Sequence, residues 1–260
     1  MRKLVSLTGG ILGRSLGLIL LILLWEAAPR FGWVNVTYVS PPSQVLQALG
    51  VLVNSGDLTT HTISSLQRAL LGLGAAVIIG TLLGIFIGWF RRVEYALDFT
   101  FQTFRQMSAF ALFPIFILFF GIGELSKIVI VFWASLWPVL LNTVNGVRNV
   151  EQILIDSAKS MGASQTFIFL KVVLPAAAPA IFTGIRLGGS YAVMAIVAAE
   201  MIGAHSGLGY LVLYSQETFK IPDMYAAIIS LAIVGLGLNY VLALLEQRAA
   251  GWKQENSAER

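Results

Sequence analysis

Cysteine is absent from this 260-residue chain, so no disulfide, thiolate metal site or cysteine nucleophile can be built. Histidine is almost absent: His61 and His205 are the only two, far apart in sequence. Charge is scarce as well. Asp, Glu, Lys and Arg make up 12% of the chain, about half the ~25% of an ordinary soluble domain. There is no HExxH, no GxSxG with a plausible histidine partner and no GxxxxGK[ST] phosphate loop. Those absences exclude the common hydrolase constellations and leave the chain no motif of its own for ATP. No 20–50-residue repeat is evident. What is there in plenty is apolar sequence. Hydrophobic residues reach 57% and the mean hydropathy is +0.81, the composition of a polytopic membrane protein.

The chain divides by its apolar runs. Residues 1–14 carry Arg2, Lys3 and Arg14. The run from Ser15 to Trp25 is short, and with Ala27-Ala28 behind it residues 1–28 resemble a signal peptide. A retained first span is preferred, because it makes the count of crossings even. Residues 29–60 are rich in turn formers, with a helical piece at Pro42–Val53 lying along the membrane surface. His61 reads as a surface or capping residue. Ala69–Phe90 is the clearest span, 22 residues without a charge, about 33 Å as a helix. Its Gly80, Gly84 and Gly88 share one face, a spacing that lets another helix approach closely. Further spans are read at Gln106–Gly123 around Pro114, Ile128–Val147 around Pro138, Val172–Met201 broken by Arg186 and Gly188-Gly189, and Met224–Leu245. A polar-faced helix at Val93–Arg105, a tight turn at Gly121–Glu124 and a loop at Gly203–Asp223 complete the chain.

One polar-bearing stretch interrupts the apolar second half, Asp156–Pro175. It reads as a short helix, a glycine break and a second helix returning to the bilayer. Asp156 suits a first turn, where its charge meets the positive end of the helix dipole. Gly162 permits the φ > 0 that ends a helix, and Ser164 can cap the next. Pro175 sits near the start of an apolar run, where a missing N–H costs less. On shape alone, an ordinary cytoplasmic loop is the favoured reading of this stretch.

Positive charge gives the topology. Arg2, Lys3, Arg14, Arg91, Arg92, Arg148, Lys159, Lys171, Arg248, Lys253 and Arg260 fall on one side, eleven in all; Arg30, Lys127 and Lys220 fall on the other. That asymmetry puts both termini and the Asp156–Pro175 elbow in the cytoplasm, and the net charge of +4 needs no nucleic-acid partner. Arg68, Arg105, Arg186 and Glu200 lie at or near membrane depth, where a charge costs several kcal/mol unless it faces a cavity or a partner. Arg105, Arg186 and Glu200 are candidates for a translocation path, with mutual pairing or snorkelling as the alternative. Arg186 and Glu200 are 14 residues apart on one helix, about 21 Å, too far to pair with each other.

The 156–175 stretch resembles the EAA loop of ABC importer permeases. Asp156, Ser157, Ala158, Gly162, Val172, Leu174 and Pro175 stand at that family's spacing. Five further segments are similar to the branch for nitrate, sulfonate, taurine and bicarbonate-type solutes. They are FPIFILFFGIGELSK (113–127), PVLLNTVNGVRNV (138–150), VVLPAAAPAIFTGIRL (172–187), VAAEMIGAHSGLGYL (197–211) and LLEQR (244–248). The likeness covers roughly residues 20–250. Two departures are visible. The loop opens Asp-Ser-Ala where the family has Glu-Ala-Ala, and residues 106–109 lack the prolines that the branch usually carries after Arg105.

The resemblance implies an all-α membrane protein with six transmembrane helices and the MetI-like fold of type I importer permeases. It implies residues 1–60 as tail, first span and external segment, 61–250 as core with the coupling loop at about 150–175, and 251–260 as a cytoplasmic tail. The expected partners are a second copy, two cytoplasmic ABC ATPases, a periplasmic or lipid-anchored solute-binding protein and membrane lipid. ATP and magnesium would belong to the ATPases, so no cofactor, metal or catalytic residue is expected here. Ile153, Leu154, Asp156, Ser157, Ala158, Met161, Gly162, Leu174 and Pro175 would couple to the ATPase. The location implied is the bacterial cytoplasmic (inner) membrane and the solute a small anion such as a sulfonate or nitrate. The alternatives are an autonomous secondary transporter or channel, which would need a midplane site between inverted repeats, and a membrane-anchored enzyme.

Overall fold

The computed structural model describes residues 16, 17 and 19–255, and side chains up to Arg248. The basic residues before Ser15, and Lys253 and Arg260 in the tail, lie outside the described residues or side chains. All the regular structure described is helical. In chain order the helices are α1 (19–30), α2 (Pro42–Asn54), α3 (Asp57–Trp89), α4 (Arg91–Gln106), α5 (Ala109–Phe120), α6 (Glu124–Arg148), α7 (Gln152–Ser160), α8 (Gln165–Ile168), α9 (Leu174–Met201), α10 (Leu208–Glu217) and α11 (Ile221–Glu255). A π-turn, Phe169–Val173, joins α8 to α9, so Gln165–Met201 is one rod of 37 residues.

Among the described residues four helices are long and apolar enough to cross a membrane: α3, α6, the α8–α9 rod and α11. The expected span at Gln106–Gly123 does not exist as one helix. Met107 and Ser108 are extended, and α4 and α5 meet at 93°, a fifth crossing only if the bent pair counts as one. Ser108 cannot continue α4 and begin α5 at once, and α5 alone has 12 residues, about 18 Å of helix. Of the expected first span, the described part is α1.

The core is α3, α6 and α9, with α6 in the middle. Glycines on both neighbours let it in. On α3, a methyl group built at Gly84 would lie 2.6 Å from Thr143 Cβ, and at Gly72 2.7 Å from Val131 Cβ. On α9, Gly184 lies against Asn142 and Pro138, and Gly188 against Val139 and Ser135, whose Oγ donates to Gly188 O at 3.0 Å. With no apolar gain in moving a side chain from lipid to protein, close backbone approach supplies the packing. The glycine face read from residues 80, 84 and 88 is therefore the α6 contact. Gly84→Leu should lower the melting temperature of the detergent-solubilised chain, at a cost of about 1–3 kcal/mol. Gly74→Leu, where an added Cβ meets nothing within 4 Å, should not.

Other boundaries move for local reasons. Helix α3 starts at Asp57, twelve residues before the apolar run, because Gly56 at φ 82° sets its first turn. Residues 203–223 are not a simple loop: they hold α10, whose Leu211 and Val212 pack with Val45, Ala48 and Leu52 of α2 and Ala226 and Ala227 of α11. Arg186 and Gly188-Gly189 do not break α9, and Pro138 does not break α6. The Gly121 turn is formed, at φ 77°.

Candidate functional site

Helix α7 begins at Gln152, so Asp156 is not in its first turn. It stands one turn further on, where it accepts from Gln152 Nε2 at 3.0 Å and lies 3.6 Å from Lys159 Nζ. Gly162 does end the helix, at φ 77°, and its N–H bonds to Lys159 O at 2.9 Å. Ser164 does cap α8, accepting from Phe167 N at 3.3 Å. Pro175 is the second residue of α9, inside the continuous Gln165–Met201 rod. It follows the π-turn, where Leu174 N–H reaches back five residues to Phe169 O. Widening the turn there takes the ring off the carbonyl it would otherwise strike.

The elbow has two apolar faces. Ile155, Ala158 and Ala163 join Val147, Ile168, Val173 and Ala177 in a cluster that anchors it to α6 and α9. Trp89 and Phe169 close its edge with ring centroids 4.9 Å apart. The other face is bare: Met161 is 87% exposed, Ile153 69% and Leu154 45%. Leu154, Ser157, Ala158, Met161, Gly162 and Phe167 line a hollow of about 720 Å³ there. Leu174 is half-buried behind it.

A second cavity, about 680 Å³, lies between the α4–α5 turn, α6 and α9. Arg105, Gln106, Ser108, Trp133, Trp137, Asn142, Asn145, Tyr191 and Met194 are on its wall. Phe104 stacks on Trp137 at 6.1 Å and meets Trp133 edge-on at 6.0 Å. Of the three expected path residues, only Arg105 is here. Arg186 is turned toward α11: its Nη1 bonds Glu246 at 3.0 Å and its Nε bonds Asn239 at 3.2 Å. On α9 the cavity takes Leu187, Tyr191, Met194 and Ala195, and position 186 is about 100° around the helix from 187.

Glu200 does not line this cavity either. It has no exposure and sits in a network at the end of the bundle opposite the elbow. Arg68 Nη1 donates to Glu200 Oε1 and to Ser206 O, both at 2.7 Å. Arg68 Nη2 donates to Glu124 Oε1 and Ser206 Oγ, both at 2.8 Å. Ser65 Oγ and Gly209 N donate to Glu200 Oε2 at 2.8 and 3.0 Å. His61 Nδ1 accepts from Gly207 N at 3.0 Å, the capping contact anticipated for it. Arg68 and Glu200 thus tie α3, α6, α9 and the turn into α10 together. Mutual pairing holds for Arg68, but its partners could not be named from sequence. Asn239, Glu246, Trp133 and Trp137 were also missed; polar atoms inside apolar runs were the one signal for the first two.

Comparison with known proteins gives the family. The family described as "Binding-protein-dependent transport system inner membrane component" matches residues 76–251. The chain is 34% identical over 233 residues to the putative aliphatic sulfonates transport permease protein SsuC of Bacillus subtilis (strain 168), covering 90% of this chain and 84% of that one. It is 33% identical over 243 residues to the taurine transport system permease protein TauC of Escherichia coli (strain K12), covering 92% and 88%. It is 35% identical over 188 residues to the bicarbonate transport system permease protein CmpB of Synechococcus elongatus, covering 72% and 68%. A chain of the MetNI methionine ABC transporter, solved in inward-facing conformations, shares the fold at TM-score 0.62 and 17% identity, over 72% of this chain and 93% of that one. The chain belongs to the binding-protein-dependent transport system inner membrane components, the permease subunits of ABC importers, alongside the sulfonate, taurine and bicarbonate permeases.

Proposed function

We propose that this permease forms the path for a small anion of the sulfonate class, that it works as a pair of copies, and that each copy seats one ABC ATPase on its elbow. A solute-binding protein delivers the anion to the opposite end. ATP and magnesium act on the ATPases, and this chain catalyses no reaction of its own. The observation that carries the reading is the bare apolar face of α7. A short helix is held to the bundle by Ile155 and Ala158 while Ile153, Leu154 and Met161 point away. Exposed apolar groups on a rigid stub mark a protein contact, and a stub fixed to α6 and α9 passes a rigid-body push directly into the spans.

The charge distribution supports a cytoplasmic elbow. Arg91, Arg92, Arg148, Lys159 and Lys171 cluster at the elbow end, and Arg30, Lys127 and Lys220 at the other. The same rule favours both termini in the cytoplasm, and the family supports the bacterial inner membrane as the location.

Copurification tests the partnership: tagged permease should retain an ABC ATPase through detergent and size exclusion, and recovery of the chain alone would refute it. Gly162 tests the coupling. A methyl group built at Gly162 meets no described atom within 4 Å, so the obstacle at this position is the backbone at φ 77°. Gly162→Val should cost about 1–2 kcal/mol locally and reduce transport, whereas Gly162→Asn, which tolerates this conformation, should transport nearly normally. Equal uptake by both variants would remove the hinge from the mechanism.

A further inference from the structure

We propose that the permease chain itself holds a binding site for an organic anion with an apolar body, in the cavity beside the α4–α5 turn. Arg105 takes the anionic head; Trp133, Trp137 and Tyr191 take the apolar body. The proposal deepens the importer reading and rests on it.

Charge is the first reason. The other two arginines read at membrane depth each have a carboxylate partner: Arg68 has Glu124 and Glu200, and Arg186 has Glu246. Among the described residues Arg105 has none, and no Asp or Glu lines its cavity. Arg105 is exposed on the cavity wall with no carboxylate beside it among the described residues, so its charge is open to solvent and to an entering anion.

The wall is the second reason. Inorganic anions such as nitrate or bicarbonate are wholly polar and would be served by donors alone. This wall is mostly aromatic and aliphatic, with Trp133 and Trp137 packed on each other and on Phe104 beside it. Its polar members are uncharged apart from Arg105, and Asn142 already donates to Pro138 O at 2.8 Å. The buried indole Nε1 atoms of Trp133 and Trp137 have no acceptor among the described residues. The volume, about 680 Å³, is that of a pocket for a small organic molecule, for which ~300–1,000 Å³ is usual.

The test uses the full chain in lipid nanodiscs with its ATPase, titrated calorimetrically with sodium methane- to pentanesulfonate, nitrate and bicarbonate. Affinity is expected to rise about threefold to fourfold with each methylene. Arg105→Gln should weaken every sulfonate by about tenfold or more, and Trp137→Ala should flatten the rise with chain length. Affinity independent of chain length, nitrate binding as tightly as pentanesulfonate, or an unchanged Arg105→Gln would each overturn the proposal. The series on the unaltered chain decides the point even if a variant misfolds. Absence of anion binding in a complex whose ATPase still answers to a binding protein would overturn this site and leave the importer reading standing. Failure of the ATPase to associate would overturn the importer reading itself.

Discussion

Arg68→Met is expected to destabilise the permease by ~3–5 kcal/mol, because it strands Glu200 as a buried charge without its partner. Glu200 has no exposure, and its other donors are Ser65 Oγ and Gly209 N. The variant should melt well below the parent in detergent, and protease should cut it near residues 203–207, where Ser206 loses both its bonds to the guanidinium. Neutralising the stranded partner should undo most of the damage, so Arg68→Met with Glu200→Gln should be more stable than Arg68→Met alone. Glu124→Gln should behave differently. Its side chain is 65% exposed, and exposed ion pairs contribute only ~0–1 kcal/mol. If Arg68→Met melts with the parent, the network is not what joins α3, α6 and α9 at that end.

Met161→Glu is expected to abolish stable association with the ATPase without harming the fold. Met161 is 87% exposed and supports no part of the core. A central apolar anchor in an interface is worth ~2 kcal/mol or more, about 30-fold in affinity, and a buried charge in its place costs further. Leu154→Glu, on the same hollow, should act likewise. Leu46→Glu is the control: Leu46 is similarly exposed, but it stands on α2, away from the elbow. Pull-down of the ATPase by tagged permease, with the melting temperature recorded for each variant, reads the difference. Retention of the ATPase by Met161→Glu would move the docking surface elsewhere.

The elbow was legible because its determinants are local. A glycine that must adopt φ 77° and a serine that caps three residues on act within one turn of chain. Asp156 was misplaced because propensity does not mark a first residue when the preceding Gln152-Ile153-Leu154-Ile155 can itself form the first turn. The glycine face of α3 was readable for a similar reason, since helical spacing alone puts residues 80, 84 and 88 on one side. The bent pair α4–α5 was not. Nothing in the apolar run from Ala109 marks its angle to α4, which depends on what α6 and α9 leave open.

Charged residues divide the two kinds of information most sharply. Sequence by itself determined that the chain lives in a membrane, which stretches are apolar enough to cross it, and that a rigid glycine-ended helix interrupts them. Those are properties of runs and of neighbours along the chain. Only the tertiary structure decided that Arg68 meets Glu200, 132 residues away, that Arg186 meets Glu246, 60 residues away, and that Arg105 is left facing the cavity. Helical periodicity orders residues around one axis. It does not set the rotation and depth of one helix against the next, and an ion pair needs both to within a few ångströms.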